Sequence, residues 1–286
     1  ETDYWLANPY LKGIKEGIYT DKELNEKVRR VLRLTFRTAM NNDRPWGSMV
    51  SDAHKTACRK IGEEGIVLLQ NNANLLPINL SKVKRIAVIG ENAIKMMTVG
   101  GGSSSLKVKY EVTPLEGLKK RIGKQAEIIY ARGYVGDPTG EYNGVKTGQN
   151  LKDDRSPKEL RTEAFQVASN ADIVLFIGGL NKSEYQDCEG TDRKTMDLPY
   201  NQNELIMDLL QVNKKLVVIN ISGTGVAMPW KNHVSTILQA WYLGSETGNA
   251  LASILMGDVN PSGKLPYTYY ACPDQCGAHK LGEYPG

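Results

Sequence analysis

Five short apolar runs, separated by amphipathic segments, constrain the fold of this chain more than any other feature. The runs are RIAVIG, AEIIYARG, DIVLFIGG, KLVVINISG and TILQAWYLG, at residues 85–90, 126–133, 172–179, 215–223 and 236–244. A strand that is apolar throughout has both faces covered, which is typical of a parallel sheet packed between helices. The pattern therefore predicts an α/β fold, with a mostly parallel β-sheet and helices on both faces in a three-layer α/β/α sandwich.

The segments between these runs predict helices and loops. Apolar residues at helical spacing predict helices at residues 21–40, 114–122, 157–168, 203–210 and 246–256. A further helix is predicted to begin near Ser51, a suitable N-cap, and to continue through Ile66 and Leu69. The polar stretch 134–156 predicts a long exposed loop, and NNDRPWGS at 41–48 predicts a linker.

The charge and glycine patterns exclude several classes of partner. The 286 residues include 36 Lys and Arg and 32 Asp and Glu, well interspersed, so we expect no nucleic-acid partner. No apolar run approaches the ~20 residues that cross a bilayer, so we expect no membrane partner. A phosphate loop would need G-K-[ST] after its glycines, and that motif is absent. We therefore expect no nucleotide and no other cofactor.

The four cysteines leave their pairing open. Cys272 and Cys276 could close a short disulfide loop in an oxidising compartment, or could be unpaired thiols like Cys58 and Cys188. Cysteine usage alone does not decide between these alternatives. Because no second Cys/His pair has the spacing of zinc ligands, we expect no metal site.

A glycine-rich segment is the first candidate for a functional site. Ligands of parallel sheets bind outside the C-terminal ends of the strands. The segment GGGSSS, at 100–105, follows the first predicted strand. Glycines allow the backbone to approach a ligand closely, so Ser103 and Ser104 are candidates for the rim of a pocket. A plain surface loop remains an equally good interpretation.

An acidic segment after the third predicted strand is the second candidate. It carries Glu184 and Glu189, with Arg193 four residues after Glu189. A loop can deliver a carboxyl group into a pocket, where burial raises its pKa toward neutrality, as a general acid requires. The alternative is that these acidic residues are solvated surface. No serine or cysteine has a histidine and an acid at recognisable spacing, so a catalytic triad is unsupported.

Several stretches, in one order along the chain, resemble the second domain of glycoside hydrolase family 3. They are VRRVLRLTF, IGEEGIVLLQNN with LLPI, RIAVIGENA, GGGSSS, YEVTPLEGL, CEGTDR with LPYNQNELI, VVINISGTGVAMPW and ILQAWYLGSETGNALASILMGDVNPSGKLPYTYY. The string GDVNPSGKLP is highly specific, and the combination is far stronger than any single motif.

The resemblance implies a TIM-like barrel followed by this α/β sandwich. Residues 1–45 are then expected to be the end of the barrel domain and the interdomain linker, and 46–286 the family's C-terminal sandwich domain. The barrel is expected to supply an aspartate nucleophile, whose motif G-x-x-x-S-D-W is absent here. We therefore expect the chain alone to be inactive. We also expect the protein to be periplasmic or secreted.

The resemblance also implies an activity and roles for residues. It implies a retaining, exo-acting β-glycosidase of β-glucosidase or β-xylosidase type that hydrolyses terminal non-reducing β-D-glycosyl residues, and it leaves the choice of sugar open. Glu189 best matches the acid/base, with Glu184 the runner-up on the same loop, and Arg193, Ser103 and Ser104 are expected to bind substrate. The expected partners are a β-linked oligosaccharide or glycoside and the N-terminal barrel of the same polypeptide. The alternatives are a non-catalytic sugar- or nucleotide-binding module and a docking domain.

Overall fold

The structure, a computed structural model, describes residues 8–136, 141–142 and 145–276. The chain forms two compact units, Glu1–Met49 and Val50–Gly286. The first unit contains helices α1 (Asn8–Lys15) and α2 (Asp21–Arg37). Thr20 and Glu23 form a capping box at the start of α2, in which each side chain bonds the backbone N–H of the other.

The second unit alternates strands and helices. Its elements are α3 (Asp52–Gly65), β1 (Val67–Asn71), β2 (Arg85–Ile89), α4 (Pro114–Ile122), β3 (Glu127–Ala131), β4 (Glu141–Tyr142), β5 (Val145–Lys146), α5 (Pro157–Ser169), β6 (Ile173–Gly179), α6 (Gln202–Val212), β7 (Leu216–Ile221), β8 (Thr236–Gln239) and α7 (Thr247–Met256). Short 3₁₀ helices lie at Glu91–Ala93, Gly244–Glu246 and Pro273–Gln275. None of the helices in the described ranges is long and apolar enough to cross a membrane.

The main sheet has the strand order β1-β8-β7-β6-β2-β3. Strands β2, β3, β6, β7 and β8 run parallel, and only the edge strand β1 is antiparallel. Strands β4 and β5 form a separate two-stranded antiparallel ribbon. The prediction of a mostly parallel sheet is confirmed.

Two apolar cores cover the two faces of the sheet. Along β6, Leu175 and Ile177 join a core with residues of α4 and α7, whereas Val174 and Phe176 join a core with residues of α5 and α6. Side chains of a strand alternate between its faces, so each strand contributes to both cores. The three-layer α/β/α sandwich predicted from the sequence is therefore confirmed.

Two element boundaries differ from the sequence predictions, and strand β1 and helix α1 were not predicted. Helix α3 begins after its predicted cap Ser51, but it ends at Gly65 and does not reach Leu69. The apolar residues that follow it form β1, because they pair antiparallel with β8 at the sheet edge. Strand β8 ends at Gln239 rather than at 244, and Trp241 has a positive φ of 35°, which is incompatible with a strand.

The contact between α4 and α7 gives a first test of the packing. A Cβ on Gly117 of α4 would lie 2.0 Å from the backbone oxygen of Gly248 in α7. We expect Gly117→Ala to lower the free energy of unfolding by about 1–3 kcal/mol or more, because the two backbones would have to separate. Denaturant titration followed by circular dichroism measures this. Gly65→Ala is the control, since a Cβ there meets nothing within 4 Å, and equal effects of the two changes would contradict the packing described.

Candidate active site

The loops that follow the parallel strands meet at one edge of the sheet. The acidic loop, residues 181–193, follows the C-terminal end of β6, and the glycine-rich loop, residues 99–105, follows β2. Strands β2 and β6 are neighbours in the sheet. The prediction that both segments lie at the C-terminal edge is confirmed, and this edge is where ligands bind in such sheets.

Backbone hydrogen bonds join the acidic loop to the glycine-rich loop. The Gly101 N–H donates to the Lys182 carbonyl oxygen at 2.8 Å, and the Glu189 N–H donates to the Gly101 carbonyl oxygen at 3.0 Å. The Ser103 N–H donates to Oε2 of Glu189 at 2.8 Å. The structure thus brings together Glu189 and Ser103, two residues singled out in the sequence.

Glycines make this close approach possible. Gly100, Gly101 and Gly102 all have positive φ, at 101°, 79° and 94°. A Cβ on Gly102 would lie 2.5 Å from Cβ of Glu189, and one on Gly101 would lie 2.6 Å from Cε of Lys182. Any other residue at Gly102 would push Glu189 away in addition to straining the backbone.

The environment of Glu189 favours its charged form. Its side chain is exposed, and hydrogen bonds from the side chain and the backbone N–H of Ser103 lower its pKa. The expectation that burial raises this pKa is therefore wrong for the structure described. Hydrogen bonds to a carboxylate stabilise the ionised form, and here they outweigh the opposing effect of desolvation on this exposed side chain.

Substitution of Gly102 tests this electrostatic effect. We expect the pKa of Glu189 in this chain to lie below that of an ordinary glutamate, so its stabilising contribution is present at neutral pH and is lost as pH falls through the folded-state pKa. Gly102→Ala should raise the pKa, because the new methyl group displaces Glu189 from Ser103. NMR titration of the Glu189 carboxyl carbon measures both. Gly148→Ala is the control, since Gly148 also has positive φ but nothing within 4 Å. A pKa unchanged by Gly102→Ala would contradict the account.

An open cavity of about 510 Å³ lies beside these loops. Arg193 and Ser104 line it, together with Lys182 and Tyr242. One guanidinium nitrogen of Arg193, Nη2, donates to the Gly225 carbonyl oxygen at 2.5 Å. The other, Nη1, is buried and has no hydrogen-bond partner in the described structure.

The remaining predicted site residues lie outside the cavity lining. Glu189, Ser103 and Glu184 are exposed and do not line the cavity. Glu184 lies on the same loop as Glu189, but within the described ranges it makes no hydrogen bond or ion pair with its carboxyl group. The structure therefore positions Glu189 through Ser103 and leaves Glu184 unconstrained.

The aromatic residues near this edge divide into core and rim. Trp230 is fully buried, and its Nε1 donates to Asn203 at 2.9 Å, so it belongs to the core. Trp241 is partly exposed and makes edge contacts with Tyr267 and Tyr269 at centroid distances of 6.2 and 6.5 Å. Trp241 therefore belongs to a surface cluster of aromatic residues rather than to the core.

The cysteines and the groups that could bind a metal lie among the described residues as follows. All four cysteines are free thiols in the structure, and Cys272 is exposed. In the part of the chain that is described, no group of three or more His, Cys, Asp or Glu residues could hold a metal ion.

Comparison with known proteins places the chain in a family. The model of the "Glycosyl hydrolase family 3 C-terminal domain" matches residues 66–284. The beta-glucosidase BoGH3A of Bacteroides ovatus is 46% identical over 292 residues, which covers 99% of this chain and 38% of that protein. The periplasmic beta-glucosidase of Salmonella typhimurium is 34% identical and covers 91% of this chain and 36% of that protein.

A solved structure agrees with these relatives. The crystal structure of a GH3 beta-glucosidase from Bifidobacterium adolescentis superposes with a TM-score of 0.78 at 29% identity, covering 98% of this chain and 38% of that one. The chain therefore spans little more than a third of the length of the relatives it matches.

Proposed function

We propose that this chain, which belongs to glycosyl hydrolase family 3 as its C-terminal domain, supplies the acid/base carboxyl group of a retaining, exo-acting β-glycosidase. The observation that supports the proposal is the hydrogen bond from the Ser103 N–H to Glu189 at 2.8 Å. It fixes one carboxyl group of the acidic loop at the ligand-binding edge of the sheet. Glu189 is the proposed acid/base, and Glu184 is the alternative.

The second half of the site belongs, in this proposal, to an N-terminal barrel domain of the same polypeptide. That domain supplies an aspartate nucleophile, because a retaining glycosidase uses two carboxyl groups about 5–5.5 Å apart. The active site is then a cleft between the two domains. Glu189 is exposed in this structure, and in the proposal contact with the barrel and the substrate buries it. Burial raises the pKa of a carboxyl group.

Glu189 acts twice in each turnover. In the first step the aspartate attacks the anomeric carbon while the protonated Glu189 transfers its proton to the departing glycosidic oxygen. In the second step the Glu189 carboxylate removes a proton from the water that releases the sugar. The hydrogen bonds from Ser103 favour the carboxylate and therefore the second step.

The proposed substrate is a terminal β-D-glycosyl residue, by analogy with relatives that are named beta-glucosidases. Arg193 and Ser104 line the cavity beside Glu189 and are proposed to contact this substrate, together with Ser103. Arg193 contributes a guanidinium group, which is a hydrogen-bond donor, to the lining of this cavity. We also propose a periplasmic or secreted location, as the name of the Salmonella relative suggests, which fractionation of the native cells tests.

Substrates with graded leaving groups test the proposed role of Glu189. In the full-length protein, Glu189→Gln keeps the size of the side chain but cannot donate an acidic proton. We expect kcat/KM to fall by about 10²–10⁴-fold for a poor leaving group such as an alkyl β-glucoside, and much less for a nitrophenyl glucoside, which needs no protonation. An equal loss on both substrates would contradict general acid catalysis by Glu189.

A further inference from the structure

The carboxyl group of Asp187 occupies an unusual place in the acidic loop. It lies two residues before Glu189, and its oxygens accept three hydrogen bonds. Oδ2 accepts from the Gly223 N–H at 2.7 Å and from the Tyr242 hydroxyl at 2.8 Å, and Oδ1 accepts from the Thr224 hydroxyl. Both oxygens are therefore engaged in contacts within the protein.

These three donors come from two other loops at the same sheet edge. Gly223 and Thr224 follow β7, and Tyr242 follows β8. Strand β7 lies between β6 and β8 in the sheet. One side chain of the loop after β6 thus joins the loops of the next two strands.

The Tyr242 hydroxyl remains a hydrogen-bond donor across the physiological pH range. Burial and the charge of Asp187 raise the pKa of Tyr242 well above its ordinary value, so its hydroxyl stays protonated. The Gly223 backbone is close as well, since a Cβ there would lie 3.5 Å from Oδ2 of Asp187 and 3.2 Å from the Tyr242 ring.

Backbone hydrogen bonds hold the residues on both sides of Cys188, which are Asp187 and Glu189. The Asp187 N–H donates to the Asn181 carbonyl oxygen at 3.1 Å, and the Glu189 N–H donates to the Gly101 carbonyl oxygen at 3.0 Å. The place of the Glu189 backbone is thus fixed by Asp187 on one side and by the glycine-rich loop on the other.

We propose that Asp187 is the positioning residue of Glu189, which fixes the acidic loop to the loops after β7 and β8. The proposal rests on the proposed function of Glu189. In this proposal Asp187 acts through its hydrogen bonds with Gly223, Thr224 and Tyr242 and not by exchanging protons with the substrate. Its loss frees the segment that carries Glu189, and a displacement of about 1 Å of a catalytic group can cost 10²-fold in rate.

Kinetics of the full-length protein with Asp187→Ala test the proposal. We expect kcat/KM to fall about 10²-fold on an alkyl β-glucoside and only several-fold on a nitrophenyl glucoside, because the misplaced group is the general acid. Asp187→Asn should stay within several-fold of the wild type on both substrates. Its amide oxygen can accept from Gly223 and Tyr242, and its NH₂ can donate to the Thr224 hydroxyl.

Two further variants separate positioning from general destabilisation. Tyr242→Phe removes one of the three hydrogen bonds and should show the same dependence on the leaving group, to a smaller extent. Asp154→Ala changes an exposed aspartate paired only with Lys152, at 3.2 Å, and should match the wild type. An equal loss on both substrates for Asp187→Ala, or a loss in Asp187→Asn as large as in Asp187→Ala, would overturn the proposal.

The Glu189 variant shows which proposal fails. If Glu189→Ala depends on the leaving group and Asp187→Ala does not, the positioning role is wrong while the proposed function stands. If Glu189→Ala itself shows no such dependence, the assignment of Glu189 as the acid/base is wrong, and the role of Asp187 fails with it.

Discussion

The 286-residue chain alone is expected to hydrolyse aryl β-glucosides no faster than a buffer control. The proposed site has its nucleophile in another domain, and general acid catalysis alone contributes only ~10²–10⁴-fold, far below the total acceleration of an enzyme. The measurement is release of nitrophenolate by the purified chain, with the full-length protein as positive control. Circular dichroism establishes that the inactive chain is folded.

If the pure chain hydrolyses the substrate, and a glucosidase inhibitor stops that hydrolysis, the result would contradict this account. The same chain with Glu189→Ala is the matched control. Activity that disappears in that variant would show that the nucleophile lies within these 286 residues. Activity that persists unchanged would show that it does not depend on Glu189.

Glu189→Ala in the full-length protein is expected to change which step limits the rate. A nitrophenyl glucoside forms the glycosyl-enzyme without an acid, but release of the sugar needs a base to activate water. The intermediate should therefore accumulate, and nitrophenolate should appear as a burst followed by turnover about 10²–10⁴-fold slower than wild type. Rapid-mixing absorbance measures the burst. A slow linear release without a burst would contradict the role of Glu189 as the base.

The fold was predictable because its strands are buried on both faces. Runs such as DIVLFIGG are apolar throughout, and no other arrangement covers them as well as a parallel sheet between helices. The edge strand β1 was missed because nothing in its own sequence separates it from the preceding helix. Its residues Val67–Asn71 follow directly on a helical pattern, and only pairing with β8 selects the strand. Short apolar runs are ambiguous between helix and strand when their partner is unknown.

The sequence predicted which loop carries Glu189 and at which sheet edge it lies, but not the electrostatics of Glu189. The position of Glu189 after an apolar strand placed it at the ligand-binding edge. The direction of its pKa shift depends on Ser103, which lies 86 residues away in the chain, and such a contact leaves no local pattern. Asp187 was not singled out because six acidic and basic residues crowd this loop, and only the three hydrogen bonds distinguish it.

Rescue by azide tests the assignment of Glu189 most directly. Azide attacks the glycosyl-enzyme without needing a base, and it is small enough to enter the space left by a missing carboxyl group. With Glu189→Ala in the full-length protein, we expect added azide to restore turnover of a nitrophenyl glucoside and to yield the β-glycosyl azide. The same change at Glu184 should give neither restoration nor azide product. Rescue of Glu184→Ala but not of Glu189→Ala would show that Glu184 is the acid/base, and rescue of neither would place it outside this chain.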